Sequence, residues 1–470
     1  MIKIVVFGVG QAFDNRRYLY EEMYDKLQIV AFIDNSTSRQ GTFKDSVPVY
    51  SPDTISTLDY DGIVISSNKY FEEMREQLIE LGVPEERIWS FKRLQREMLR
   101  GHRTVYNMGR TVDPAKKNIL IISTDMSFSG GSLVAVYAAK ALKMMGYEVM
   151  IAAPSIKLNA LVEIMNDGLS ATIWESLPYI YEQDYEWLGQ FDAVIVNVFQ
   201  MMNSAFEISK IKPVLWWIHE VHSPWVTFYR ETQKDFGEIA SREWMEKVNI
   251  LGVSNIAKEA FDFFYPNVMD GILPFGIPDR FEEKCDMKMT DKVIFAVAAG
   301  YAEFKGQNVL IDAVKCLSVE EQKKMELWFI GPSGDNQRAL RDVCGELGNV
   351  RFLGLLTHEQ VMEKLPRIDV MVCPSLIESM SMSIIEGMMY KKICITSSRT
   401  GIASYIEDGV NGFVCQVGNS LEMAKKISWI INHSGELEPI RNAARETYDK
   451  YFSLESFGVA LKDSLEKMGV

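Results

Sequence analysis

Three stretches of the chain run the same course: a near-continuous apolar segment, a turn containing glycine, then apolar positions spaced three and four apart. They are IKIVVFGVG (2–10), NILIISTDMSFSGG (118–131) and KVIFAVAAGYAEFKG (292–306). A strand that is apolar on both faces has to be covered on both faces. A glycine turn into a helix makes that cover, so each stretch predicts the opening βα unit of a parallel sheet. More strands follow each opening: IVAFID (29–34) and GIVIS (62–66), then EVMIAAP (148–154) and DAVIVNV (192–198), then ELWFIG (326–331), VMVCPS (370–375) and KICITS (392–397). Strand–helix alternation throughout predicts an α/β protein of doubly wound sheets. The pattern breaks twice. Between 99 and 114, Gly101 and Gly109 interrupt it and Asp113-Pro114 precedes the next strand. Between 277 and 290 two prolines and a charge cluster intervene. The expected domains are therefore 1–100, 113–285 and 286–450, with 451–470 as a helix crossing back to the middle domain.

Composition narrows the function classes. At 470 residues, about 150 per domain gives roughly three domains, as the openings do. With 64 acidic against 50 basic residues the formal charge is −14, which argues against a nucleic-acid partner. No run of 18 apolar residues occurs, and MIKIVVFGVG reads as a buried strand and not as a signal peptide. Six scattered cysteines without a CxxC pair read as reduced core thiols of a cytoplasmic protein, and five histidines without ligand spacing predict no metal site.

Candidate chemistry sits in two places. In the first domain, Gly8-Val9-Gly10 after a strand begins a dinucleotide fingerprint whose third glycine is replaced by Phe13. Asp34 ends the second strand, where an acidic residue would take ribose hydroxyls. The stronger string is CPSLIESMSMSIIEGMMYKKICITSSRTGIASYIEDGVNGFV (373–414). It reads as strand, polar turn and helix. Glu378 lies in the turn, and Glu386 follows eight residues on, within a largely apolar helix. The segment Ser379, Met380, Ser381, Met382 and Ser383 sets backbone N–H groups at a helix N-terminus, which carries about half a positive charge and suits a diphosphate.

With Pro374-Ser375 before it and Gly401 and Glu407-Asp408-Gly409-x-Asn411-Gly412 after it, Glu378-x7-Glu386 closely resembles the retaining GT-B glycosyltransferases of family four. Other pieces resemble that family in order: Gly130-Gly131, Trp216-Trp217-Ile218-His219-Glu220, Pro274-Phe275-Gly276-Ile277, Lys305-Gly306 and Phe352-Leu353-Gly354. The resemblance covers about 117–457. It implies two Rossmann-like domains facing a cleft, preceded here by a third, smaller one. Residues 1–91 resemble small nucleotide-binding-like domains attached to glycan-building enzymes.

The resemblance also implies roles. Gly130 and Gly131 would let backbone amides approach the distal phosphate of a nucleotide sugar, a UDP-sugar being favoured. Lys305 would meet the diphosphate, Glu378 with the backbone of Ser379 to Met382 the sugar hydroxyls, and Glu386 the ribose. His219 would face the transferred sugar. The base would lie near Gly331-Pro332 and Phe352-Leu353. No cofactor or metal is required, because a lysine and a helix N-terminus replace it. The reaction would transfer a hexose or N-acetylhexosamine with retention, on the face the diphosphate leaves, to a glycan, lipid-linked glycan or protein. One departure stands out: Ala299-Gly300 occupies the place of the family's Gly-Arg, leaving Arg338 and Arg399 as candidate substitutes. A non-catalytic subunit that binds an acceptor or partner is the competing reading. His219, Glu220 and His222 have a plain reading too, as polar groups that satisfy one another at a strand end.

Between 92 and 117 eight basic residues face two acidic ones. Phe91, Leu94 and Met98 form an apolar stripe among them. Within 91–103 this predicts either peripheral contact with the inner face of a membrane or a helix packed between domains. An oligomer is compatible with the sequence.

Overall fold

A computed structural model describes residues 1–15, 17–21, 26–67, 69–98, 101–107, 115–127, 130–221, 243–282, 292–332, 335–345 and 347–470. The chain forms two compact units, Met1–Arg103 and Thr104–Val470.

The first unit is built on a parallel sheet in the order Val47–Tyr50, Leu27–Ile33, Ile2–Phe7, Gly62–Ile65, Ile88–Ser90, with Phe43–Lys44 antiparallel at one edge. In chain order that is third, second, first, fourth, fifth, the doubly wound order. Val5, Phe7, Ala31, Ile33, Ile63 and Ile65 fill one face, and Ile4, Val6, Phe32 and Val64 the other. The helix Phe91–Met98 closes the second face: Phe91, Leu94 and Met98 are buried in the same cluster as Phe13, Tyr20 and Trp89. This corrects the membrane expectation for 91–103. A stripe that fills the unit's own core has no apolar face left for a bilayer.

The second unit holds two sheets. The first runs Gly271–Ile272, Asn249–Gly252, Val214–Ile218, Ala193–Asn197, Asn118–Ile122, Glu148–Ala153, Ser170–Trp174, and closes on Arg103–Tyr106. The other runs Val350–Gly354, Met325–Ile330, Val293–Ala298, Val370–Cys373, Ile393–Ser397, Phe413–Cys415. Leaving aside the edge strand Arg103–Tyr106, the first strand of each sheet lies beside the fourth, so strand order reverses there. In doubly wound sheets the ligand crevice lies outside the carboxyl ends of such a strand pair. The pairs are Asn118–Ile122 with Ala193–Asn197, and Val293–Ala298 with Val370–Cys373.

One hydrophobic cluster runs through both sheets of this unit, from Ile119, Tyr137 and Trp217 to Ile384, Met388 and Phe457. The chain crosses between the sheets along 274–282. Gly276 lies so close to Phe457 and the carbonyl of Ser453 that no Cβ fits. Ile277 N–H donates to Phe452 O at 2.8 Å, and Tyr448 Oη to Ile277 O at 2.9 Å. The last helix, Leu454–Lys467, then lies against Gly130–Met144, with the Phe457 ring 5.4 Å from Trp217.

Candidate active site

At the reversal of the 293–415 sheet, the first strand is followed by a short turn, Glu303–Lys305, and Gly306. Gly306 has φ of 65°, and a Cβ there would run into the carbonyl of Pro374. The lysine turn can therefore lie flat on the turn after the fourth strand, and Leu376 N–H donates to Phe304 O at 2.7 Å. This places Lys305 Nζ 2.6 Å from Glu378 Oε2, to which Ser375 Oγ donates at 2.9 Å. Both charged side chains are about one-fifth exposed. The backbone of Glu378 is held on both sides, its N–H by Arg399 O at 3.1 Å and its carbonyl by Gly401 N–H at 3.0 Å. Gly401 is itself pressed between Ser379 O and Ser254, the N-cap of helix Asn255–Phe264.

Ser381 is the N-cap of helix Met382–Met389, so Ser379 and Met380 lie just before it and its first N–H groups have no partner within the helix. Glu386 lies in the second turn of that helix and is buried, with Ile384, Ile385, Met388 and Met389 buried around it. Its Oε1 is 2.7 Å from His358 Nε2. Neither histidine count nor motif spacing singled out His358; the THEQ string (357–360) marks only a capped helix start. Tyr137, from the other sheet's first helix, has its hydroxyl pushed well above the usual phenol range by burial and then by the charge of Glu386.

The base segment is committed to packing. The Phe352 ring stacks on Phe329 at 5.3 Å and carries the Arg341 guanidinium 4.2 Å above it. Gly331 is crowded by Ala299 O and Tyr301, and its N–H donates to Gly354 O at 2.9 Å. Leu353 is half-buried.

At the reversal of the other sheet, Gly130 and Gly131 open helix Gly130–Met144. A Cβ on Gly130 would meet no described atom within 4 Å, and one on Gly131 only Val198 at 3.7 Å, so the chain's own packing does not demand glycine at either. Asn197 Nδ2 ties the loop down by donating to Gly131 O at 3.1 Å and Ser123 Oγ at 3.3 Å. The next residue, Val198, has φ of 77°, a conformation a β-branched residue rarely takes. It is held there by its N–H to Trp217 O at 2.9 Å and by Trp216 Nε1 donating to its carbonyl at 3.2 Å. Phe199 N–H and His219 N–H both donate to Glu220 Oε2 at 3.0 Å. The side chains of Glu220 and His219 therefore do not satisfy each other, and His222 lies outside the described residues. His219 Nε2 has no hydrogen-bond partner among the described residues, and its ring sits 4.4 Å from Trp217. Burial pushes the His219 imidazole down to about 3. Burial pushes the Glu220 carboxyl up to about 7, against the backbone donors that favour its charge.

Of the two substitutes for the missing arginine, Arg399 is taken by Glu259 at 2.8 Å, and Arg338 lies on helix Asp335–Cys344. In the first unit Gly8 has φ of 97°, and Asp34 is buried. Its carboxylate accepts from Val9 N–H and Ser36 N–H at 2.9 Å each and from Arg39 at 3.2 Å, with Arg39 lying against Gly10. The acid expected to take ribose hydroxyls is thus bound up within its own glycine turn. Among the described residues no cluster of metal-ligating side chains occurs, and no helix is long and apolar enough to cross a membrane.

Comparison with solved structures decides the architecture. Alr3699/HepE of Anabaena, in complex with UDP-glucose, superposes with a TM-score of 0.59 over 74% of this chain and 99% of its own, at 16% identity. A glycosyltransferase from Rickettsia africae gives 0.60 over 75% and 99%, also at 16%. Sucrose-phosphate synthase of Thermosynechococcus elongatus gives 0.58 over 75% and 99%, again at 16%. The fold is GT-B. Residues 279–447 of this GT-B chain match the family model of Glycosyl transferases group 1, and residues 1–89 match that of C2185-like, N-terminal. Among curated proteins, EpsD of Bacillus subtilis (strain 168) is 30% identical over 135 residues, 28% of this chain and 34% of its own length. The lipopolysaccharide core biosynthesis glycosyltransferase LpsE of Rhizobium meliloti (strain 1021) is 27% identical over 158 residues, 33% and 44%. The chain thus matches less than half the length of either.

Proposed function

We propose that this protein is a retaining glycosyltransferase. It moves a hexose or N-acetylhexosamine from a nucleotide sugar, a UDP-sugar first among them, to a glycan, lipid-linked glycan or protein during cell-surface polysaccharide synthesis in the cytoplasm. The observation that carries this reading is the meeting of Lys305, Ser375 and Glu378 at the strand-order reversal, immediately before the helix that bears Glu386. The UDP-glucose complex of the Anabaena neighbour and the name of LpsE support the donor and the setting.

Donor binding divides the Lys305–Glu378 pair between two parts of one ligand. Lys305 turns to the diphosphate, joined by N–H groups at Ser381 and Met382 and by the Gly130-Gly131 loop. Glu378 accepts from the sugar hydroxyls, with the Ser379 and Met380 backbone beside it. Glu386 accepts from the ribose, and the base rests on backbone near Gly331, Phe352 and Leu353. His219, neutral at working pH, presents Nε2 to the transferred sugar as a dipole and not as a charge. The bond from the anomeric carbon to the leaving phosphate oxygen breaks as the acceptor oxygen bonds on the same face, and that phosphate oxygen takes the acceptor's proton. Positioning and preorganised charge supply the catalysis, and no divalent ion is needed.

A non-catalytic subunit that binds an acceptor or partner is favoured by one observation: Ala299-Gly300 replaces the second cation, and Arg399 is held by Glu259. Calorimetry against a panel of nucleotide sugars, followed by a transfer assay, tests both readings. Binding with transfer supports the enzyme, absence of transfer with every donor supports the subunit, and absence of all nucleotide-sugar binding removes the enzyme.

A further inference from the structure

His358 has no part in the chemistry above, yet it is the side chain that holds Glu386. It is the first residue of helix His358–Lys364, whose start is locked by a reciprocal box: Gln360 N–H donates to Thr357 Oγ1 at 3.2 Å, and Thr357 N–H to Gln360 Oε1 at 2.9 Å. The loop before it leads directly from Phe352-Leu353-Gly354. The imidazole is about one-quarter exposed, whereas Glu386 is almost fully enclosed among apolar neighbours. A buried carboxylate can turn about its last torsion unless one oxygen is fixed. Since a carboxylate only accepts, Nε2–H of His358 donates to Oε1 at 2.7 Å. That fixes the carboxylate plane and leaves Oε2 as the oxygen with accepting capacity to spare. Tyr137, whose hydroxyl feels the charge of Glu386, is coupled to this carboxylate through space.

We propose that His358 is a positioning residue that sets the ribose specificity of the donor site: by holding Oε1 of Glu386, it aims Oε2 at a ribose hydroxyl. It ties the base segment to the ribose carboxylate through one rigid helix start, so base and ribose are read by a single body. This rests on the reading of Glu386 as the ribose acceptor.

The test compares a nucleotide with its 2′-deoxy form. Of UDP, GDP and ADP, the one the unaltered protein binds tightest is titrated calorimetrically beside its 2′-deoxy analogue. The unaltered protein should prefer the ribonucleotide about tenfold or more, as expected for a hydrogen bond to a charged acceptor. His358→Ala should bring the two within about threefold of each other. His358→Gln, whose side-chain amide N–H can reach the same oxygen, should restore most of the preference. In turnover, His358→Ala should raise KM for the donor and leave kcat within about threefold. A merely structural role would lower both nucleotides' affinities alike and keep their ratio, which overturns the inference, as does a ratio that rises. If the unaltered protein binds a ribonucleotide with no preference over its deoxy form, the Glu386 reading fails and the His358 inference with it, while nucleotide binding and the proposed function stand. If it binds no nucleotide, both fail together with the proposed function.

Discussion

Lys305 and Glu386 carry charge into the same crevice but should fail differently when removed. Glu386 is buried and accepts a hydrogen bond, so Glu386→Ala should weaken nucleotide-sugar binding by about 1.5–3 kcal/mol in calorimetry. In the proposed reaction Lys305 faces charge that grows as the diphosphate leaves. Lys305→Ala should therefore lower kcat more than it raises KM. Parental transfer rates in both variants would remove the site assignment. His219 and Glu220 give opposite pH signatures. The imidazole is held down to about 3 from 6.5, so the unfolded chain takes up a proton over that window and the folded one does not. Its contribution is lost as pH falls through it. Glu220, raised to about 7 from 4.5, keeps its proton longer in the folded state, so its contribution grows as pH falls from 7 to 4.5. Below about 4.5 only the His219 loss continues. Urea melts of His219→Gln should then fall less steeply than those of the parent between pH 4.5 and 3, by up to about 1.4 kcal/mol per pH unit. Parallel curves would mean an imidazole in contact with solvent.

At the scale of elements, two short pieces decide the geometry. Gly306 lets the lysine turn lie on Pro374, and an alanine there needs both a left-handed backbone and room that Pro374 O occupies. Gly306→Ala should cost at least the roughly 1–2 kcal/mol of the left-handed conformation and reduce transfer with it. An unchanged thermal midpoint together with full activity would show that the two turns do not depend on this contact. The helix Phe91–Met98 makes the other case. Its stripe was legible from the spacing of Phe91, Leu94 and Met98, but whether it met lipid or protein was not, because periodicity reports a face and not what covers it. Leu94→Ala should lower a calorimetric transition of the full chain by about 2–5 kcal/mol of stability while nucleotide binding persists. A superimposable scan would return the stripe to the surface.

For the whole molecule, the residues proposed to bind the donor all lie in the second unit, and the acid of the first unit's glycine turn is already bonded to that turn. Deletion of 1–99 should leave nucleotide-sugar affinity intact and impair acceptor use, assembly or stability. Loss of affinity in a still-folded truncation would assign the first unit a part in donor binding. The transfer product should keep the donor's anomeric configuration, and a chelator should leave the rate unchanged. Nuclear magnetic resonance of the linkage checks the first and an assay in chelator the second, with an inverted linkage excluding the front-face reaction.

Strand runs such as NILII and VIFAVA, with glycines after them, made the α/β class and the three openings readable without coordinates, because burial on both faces leaves no alternation to mistake. The Glu378-x7-Glu386 string likewise marked a strand-end turn and a helix start. Spacing along the chain could not reveal partners from distant segments. Lys305 and Glu378 are 73 residues apart and His358 and Glu386 28. They meet because strand order reverses between the first and fourth strands and because a capped helix starts beside the apolar one. Nor did the sequence show that Glu220 takes the N–H of Phe199, in the strained Val198–Phe199 turn, and that of His219, while His219 Nε2 has no partner among the described residues. Which polar group is satisfied and which is left to meet a substrate depends on directions in space, and only the packing of strands, turns and caps sets those directions.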